Sequence, residues 1–279
     1  MEIEKIYNLE DLHSHLRSII SDFETVCRRL DIKYYMAYGT LLGAVRHKNI
    51  IPWDDDVDLV MSRSDYDKLV EYYSNGSVDG YDFFCPELDE KCYVLFGKFV
   101  RLGDADKDLK QYFTAPDGLS IDVFPLDDAL HPGKIRQYLT AYSVRMLSRI
   151  IGLKVKMTDE NYRKTSGNLL VKKLVLIPFL PFSVASLKKR VVRMCRKYEK
   201  YGTDNCAMYC GIYKVGLENF SKSVFSETEI LPLGEYEFTA PKEYKVFLEQ
   251  VYGKDYMQIP PEHARHLHDH LYEEAAAQE

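Results

Sequence analysis

None of the six cysteines (Cys27, Cys85, Cys92, Cys195, Cys206, Cys210) in this 279-residue chain forms a CxxC pair with another. That removes the simplest redox and zinc-knuckle readings, and a chain this long needs no covalent staples to hold a core. Reduced thiols in a cytoplasmic protein are expected. The first residues, Met1-Glu2-Ile3-Glu4, are acidic and lead into no apolar run, so no secretory signal is expected. The most apolar stretch, residues 168–182, is too short and too interrupted to span a bilayer, which takes about 20 apolar residues. Overall positive charge is lacking as well: the formal net charge of −6 argues against nucleic acid as the partner. There is no internal repeat, and Trp53 is the one tryptophan.

The net charge conceals an asymmetry. Residues 134–200 hold 17 Lys/Arg against 3 Asp/Glu, which leaves 20 basic and 40 acidic residues for the remainder of the 37 and 43. Two regions so different are expected to meet different partners. The organisation expected is a catalytic core over 1–130, a basic and mostly helical region over 131–200, and a segment over 201–279 that packs back on the core.

Apolar residues recur at helical spacing over residues 9–30, predicting a long amphipathic helix. Tyr34-Tyr35-Met36-Ala37-Tyr38 reads as a strand ended by a Gly39-Thr40 turn, with a short helix over 41–46. Ser62-Arg63-Ser64-Asp65 is a capping-box pattern opening a helix to about Tyr73. Further strands are predicted over 92–101 and 119–124, and the last eighty residues read as turns and short helices.

The chemistry concentrates in Asp54-Asp55-Asp56-Val57-Asp58. Four carboxylates in five residues repel one another, so gathering them costs free energy unless a cation compensates. In a strand, alternate side chains share a face about 6.6–7 Å apart, which would align Asp54, Asp56 and Asp58. Such a face is sized for one or two divalent ions, and oxygen ligands beside phosphates suit Mg²⁺, with Mn²⁺ as a substitute. A solvated acidic loop is a poor match for the apolar flanks Ile50-Ile51-Pro52-Trp53 and Leu59-Val60-Met61. An EF-hand fails by register, because position 6 would be Leu59 and position 12 Asp65.

Asp122 stands alone within Leu119-Ser120-Ile121-Asp122-Val123-Phe124 and needs a cation, a donor or water. As a neighbour of the acidic run it would either ligate a metal or take a proton from an attacking hydroxyl. Gly39 and Thr40 let the backbone approach a phosphate at a helix start. Arg46, Lys98 and Arg101 are candidate partners for the same anion. Trp53 would stack on a ligand or pack beneath the acidic run.

These residues carry a resemblance. Gly39-Thr40-Leu41-Leu42-Gly43-Ala44-Val45-Arg46, followed by Ile51-Pro52-Trp53-Asp54-Asp55-Asp56-Val57-Asp58, resembles the signature of the LicD family, and Ile121-Asp122-Val123-Phe124-Pro125-Leu126-Asp127 is similar to its next motif. Ala240-Pro241-Lys242-Glu243-Tyr244 and Tyr252-Gly253-Lys254-Asp255-Tyr256-Met257 resemble its closing segment. The resemblance implies an α+β nucleotidyltransferase fold, a mixed sheet flanked by helices, here with the basic helical insertion. It implies transfer of a phosphorylated alcohol from a CDP-alcohol, best matched by phosphocholine from CDP-choline, to a sugar hydroxyl of a lipopolysaccharide or teichoic acid precursor. By position it implies metal ligation by Asp56, Asp58 and Asp122, with Asp54 as a further ligand. Asn49 departs from the pattern, where a glycine is expected after Arg46-His47-Lys48.

Two other functions compete. A DxD glycosyltransferase would use a nucleotide sugar, but that class builds most of a nucleotide-binding domain before its DxD, and 53 residues precede Asp54. A non-catalytic glycan-binding relative would be expected to lose a carboxylate, and all are present. The basic region reads either as a segment lying on the inner face of an anionic membrane or as a core helix pair with a solvated basic face. His266 and His270 share a helical face beside His263 and His268, more simply a solvated helix end than a zinc site.

Overall fold

The computed structural model describes residues 9–89, 92–102, 118–158, 160–165, 167–211 and 213–265; the predicted pairing of His266 with His270 and the position of His268 lie outside them. In chain order the elements are α1 (Leu9–Arg29), β1 (Tyr34–Met36), α2 (Tyr38–Arg46), β2 (Asp58–Ser62), α3 (Arg63–Tyr73), β3 (Tyr81–Phe84), β4 (Gly97–Leu102), β5 (Gly118–Ala129), α4 (Ile135–Lys156), α5 (Glu160–Thr165), α6 (Leu169–Leu176), α7 (Val184–Cys195), β6 (Asn205–Ala207), β7 (Asn219–Ser221), β8 (Thr228–Leu233), β9 (Tyr236–Pro241) and α8 (Tyr244–Tyr252). The fold is α+β, a mixed sheet with flanking helices. The chain divides into two compact units. One unit takes Met1–Phe84, Gly97–Pro125 and Lys222–Glu279; the other takes Cys85–Phe96 and Leu126–Ser221.

In the first unit α1 forms because Leu12, Leu16, Ile19, Ile20, Phe23 and Val26 make one buried stripe. Glu10 and Asp11 at its start and Arg28 and Arg29 at its end complement the helix dipole. The strands run in the order β1-β2-β5-β4-β3. β1 and β2 are antiparallel, with Met36 opposite Leu59, and β4 and β5 are antiparallel, with Lys98 opposite Asp122. Phe23 of α1 meets Phe99 of β4 edge-on at 5.0 Å and anchors the helix to the sheet. Ser62 caps α3 by accepting the Asp65 N–H at 3.1 Å, as the capping pattern predicts.

In the second unit Ala129, Val144, Ile151, Leu187, Val191 and Cys195 share one core, built largely from α4 and α7. The end of β5 pairs with β6, and β6 with β7.

Three predictions change. The acidic run is not a strand: β2 begins at Asp58, and residues 54–57 form irregular backbone before it. The strand expected over 92–101 starts at Gly97. The region beyond residue 200 holds β6, β7 and the β8–β9 hairpin in place of turns and short helices alone. In β8 only Leu231 and Leu233 are buried, a period-2 signal two residues long and interrupted by Pro232.

Candidate active site

The loop between α2 and β2 is held at several points by its backbone. Asn49 Oδ1 accepts from the Ile50 N–H at 2.9 Å and from Arg17 Nη1 at 3.0 Å. The left-handed residue is Lys48, at φ +57°, so asparagine at 49 is no obstacle: the loop turns one residue earlier. The Asp54 N–H donates to Ile51 O at 2.9 Å, and His13 Nε2 lies 2.7 Å from Asp54 O. A carbonyl can only accept, so Nε2 carries the proton there. Thr40 Oγ1, inside the first turn of α2, accepts the Asp58 N–H at 2.8 Å, while Asp58 O accepts the Ala37 N–H at 3.0 Å. Val57 O accepts the Asp122 N–H at 2.8 Å. These bonds bring the loop, β1, α2 and β5 together around Asp58.

The side chains converge accordingly. Lys98 Nζ, across the β4–β5 pair, is 2.6 Å from Asp122 Oδ1. Burial, then Asp56, Asp122 and Asp54, push the Asp58 carboxyl well above the usual carboxylate range, against a lowering by Lys98. Burial and then Asp55 push Asp54 up to about 6, opposed by a hydrogen bond shared with Asp56 and by Arg46. Burial works against the Lys98 charge, but Asp122, Asp56 and Asp58 together hold its pKa above the ordinary lysine value. Each carboxylate raises the cost of charging the next. A divalent cation among them would reverse that cost, and the all-oxygen donor set fits Mg²⁺. Among the described residues, no three carboxylates, imidazoles or thiols already stand as a ligating triad. Asp122 is instead engaged by Lys98.

Asp54, Asp56, Asp58, Asp122 and Lys98 therefore lie close enough to act on one another. Gly39 and Thr40 meet them from α2: a Cβ at Gly39 would stand 2.5 Å from Asp54 Oδ2, so only glycine lets that carboxylate lie against the helix start. The helix begins at Tyr38, three residues earlier than predicted, which places Thr40 against Asp58 and commits its hydroxyl to backbone. Arg46 acts electrostatically on Asp54, while its Nη1 donates to Tyr256 O and Gln258 O, each at 3.1 Å.

Arg101 is a correction. It lies three residues beyond Lys98 on β4, so it leaves the opposite face of the strand and meets His15 of α1 at 2.7 Å. Trp53 is packed by arginines: the Arg265 guanidinium lies 4.5 Å from the ring centroid and that of Arg46 5.9 Å. His13 was not legible as a site residue. It falls on the buried face of α1, where spacing alone reads as core.

A family model described as LicD/FKTN/FKRP, nucleotidyltransferase domain, matches residues 31–128, the span holding every one of these carboxylates. The chain is also similar to the lipopolysaccharide cholinephosphotransferase LicD of Haemophilus influenzae, 26% identical over 257 residues, 92% of this chain and 93% of that protein. Uncharacterized proteins from Rickettsia prowazekii and Rickettsia typhi are each 44% identical over 50 residues, 18% of this chain and 19% and 16% of theirs.

Proposed function

The chain belongs to the LicD family, and from that premise we propose that it is a phosphotransferase moving phosphocholine from CDP-choline to a sugar hydroxyl of a cell-surface glycan, a lipopolysaccharide or teichoic acid precursor. One observation carries the reading: Asp54, Asp56, Asp58 and Asp122 crowd together beside Lys98, which pairs with Asp122 at 2.6 Å. An arrangement that costly is stable in use only where cations and phosphates enter it.

Asp56 and Asp58 would hold Mg²⁺, with Asp54 beside them. The ion, when bound, supplies neutralisation of the charge that builds on the donor's phosphates. Asp122 orients the acceptor hydroxyl and takes its proton, and Lys98 keeps that carboxylate in position. The hydroxyl oxygen bonds to the phosphocholine phosphorus as the bond to CMP breaks. Thr40 fixes the backbone that aims Asp58. Such chemistry is mostly positioning and electrostatics.

The test is to incubate the purified protein with a panel of CDP-alcohols and follow CMP release, with and without acceptor glycan and with Mg²⁺ or chelator. Acceptor-dependent release from CDP-choline that needs the metal supports the reading. Turnover of a UDP-sugar in place of CDP-alcohols would replace it with a glycosyltransferase.

A further inference from the structure

The second unit carries an apolar surface that the transfer reaction does not use. Within α6 and the 3₁₀ turn Ile177–Phe179 that follows it, Leu176 is the one buried side chain. Leu170, Leu174 and Leu180 are 77, 63 and 67% exposed, and Val171, Ile177 and Phe182 are 58, 54 and 46% exposed. Scattered exposed leucines are ordinary, but a contiguous run of this kind marks something that covers it. Apart from Lys172 and Lys173 this segment is apolar, and of its apolar side chains in α6 only Leu176 is buried.

Charge identifies the cover. Residues 161–198 contain ten Lys/Arg and no Asp or Glu. On α7, Lys189 and Arg193 line a groove of about 990 Å³ together with Arg196, Lys197 and Lys200, against two glutamates, Glu87 and Glu199. A second copy of this region would set like charge against like. An anionic bilayer offers acyl chains to the apolar segment and phosphates to the cations that follow it on α7, with no need for a shaped pocket. No single described helix is long and apolar enough to cross a membrane, and the α6 segment meets α7 at a bend of 72°. The segment therefore suits lying in the interface.

We propose that residues 168–200 dock this protein on an anionic bilayer, α6 and its 3₁₀ turn entering the acyl region and the α7 cations meeting lipid phosphates. The test is sedimentation of the full chain with vesicles of phosphatidylcholine alone or doped with phosphatidylglycerol. Binding should be at least about tenfold tighter to the anionic vesicles and should weaken with salt. Leu170→Glu with Leu174→Glu should abolish it. Lys189→Glu with Arg193→Glu should lower anionic-vesicle binding by about thirtyfold or more, about fivefold for each basic residue lost. Leu174→Trp adds a second tryptophan, and acyl-brominated lipid should quench this variant's emission beyond that of the unsubstituted protein. Should the glutamate pair fail to fold by circular dichroism, the charge pair and the quenching still decide. Equal sedimentation of unsubstituted and variant proteins overturns the proposal. So does a concentration-dependent dimer that the glutamate pair dissolves while no vesicle binds. None of these readouts depends on the transfer reaction.

Discussion

Lys98 Nζ stands 2.6 Å from Asp122 Oδ1 on paired positions of β4 and β5, the two side chains 16% and 15% exposed. The Lys98 charge lowers the cost of ionising Asp58. Lys98→Met should leave Asp122 buried without its partner. Thermal unfolding should show a loss of about 1–3 kcal/mol, the range for a pair that is not fully desolvated. CMP release should fall by about 10²-fold, on the scale of losing one positioned electrostatic group.

Asp58→Asn removes one of the mutually repelling charges at constant shape. The fold should therefore be kept, with an unfolding temperature no lower than that of the parent, while CMP release is abolished. Unchanged turnover would remove Asp58 from the mechanism.

Metal linkage gives a reading independent of turnover. A cation bound by the native carboxylates stabilises the folded state by about 2.7 kcal/mol at a hundred times its dissociation constant. Mg²⁺ should raise the unfolding temperature of the parent protein and not that of Asp58→Asn. An equal rise in both would place the ion elsewhere.

Thr40 is buried and accepts the Asp58 N–H. Thr40→Val keeps the shape and orphans that donor, a loss of about 1–3 kcal/mol. Thr40→Ser restores the acceptor and should recover most of both stability and activity. A serine variant as impaired as the valine one would show that the methyl group, and not the hydrogen bond, matters.

Gly39→Ala sets a methyl 2.5 Å from Asp54 Oδ2 and must push that carboxylate away. Activity should fall with little change in global stability, and the apparent affinity for Mg²⁺ should weaken. An unchanged metal titration would release Asp54 from the ligand set.

Much of the site was legible because charge density is a local property: five aspartates amid apolar neighbours announce themselves without any fold. α1 and α3 were legible for the same reason, one from a long stripe and one from a cap. The backbone state of residues 54–57 was not, because the side chains that hold its two ends, His13 on Asp54 and Thr40 on Asp58, come from elsewhere in the chain. Lys98 and Arg101 look alike in sequence and differ only by strand parity, which needs the strand's start to be known. The β8–β9 hairpin was missed because its apolar alternation is short and its turn is a lone Gly234 at φ +68°.

The Gly234 N–H donates to Lys48 O, and Arg46 donates to the carbonyls of Tyr256 and Gln258. On a ribosome those partners emerge last, after the whole of Leu126–Ser221 has been made. At about 5–20 residues per second the acidic loop waits on the order of 10–40 s without its clasp. A stop codon placed after Ser221 would leave that wait without end, and such a product should be cleared by proteases however complete its aspartates are.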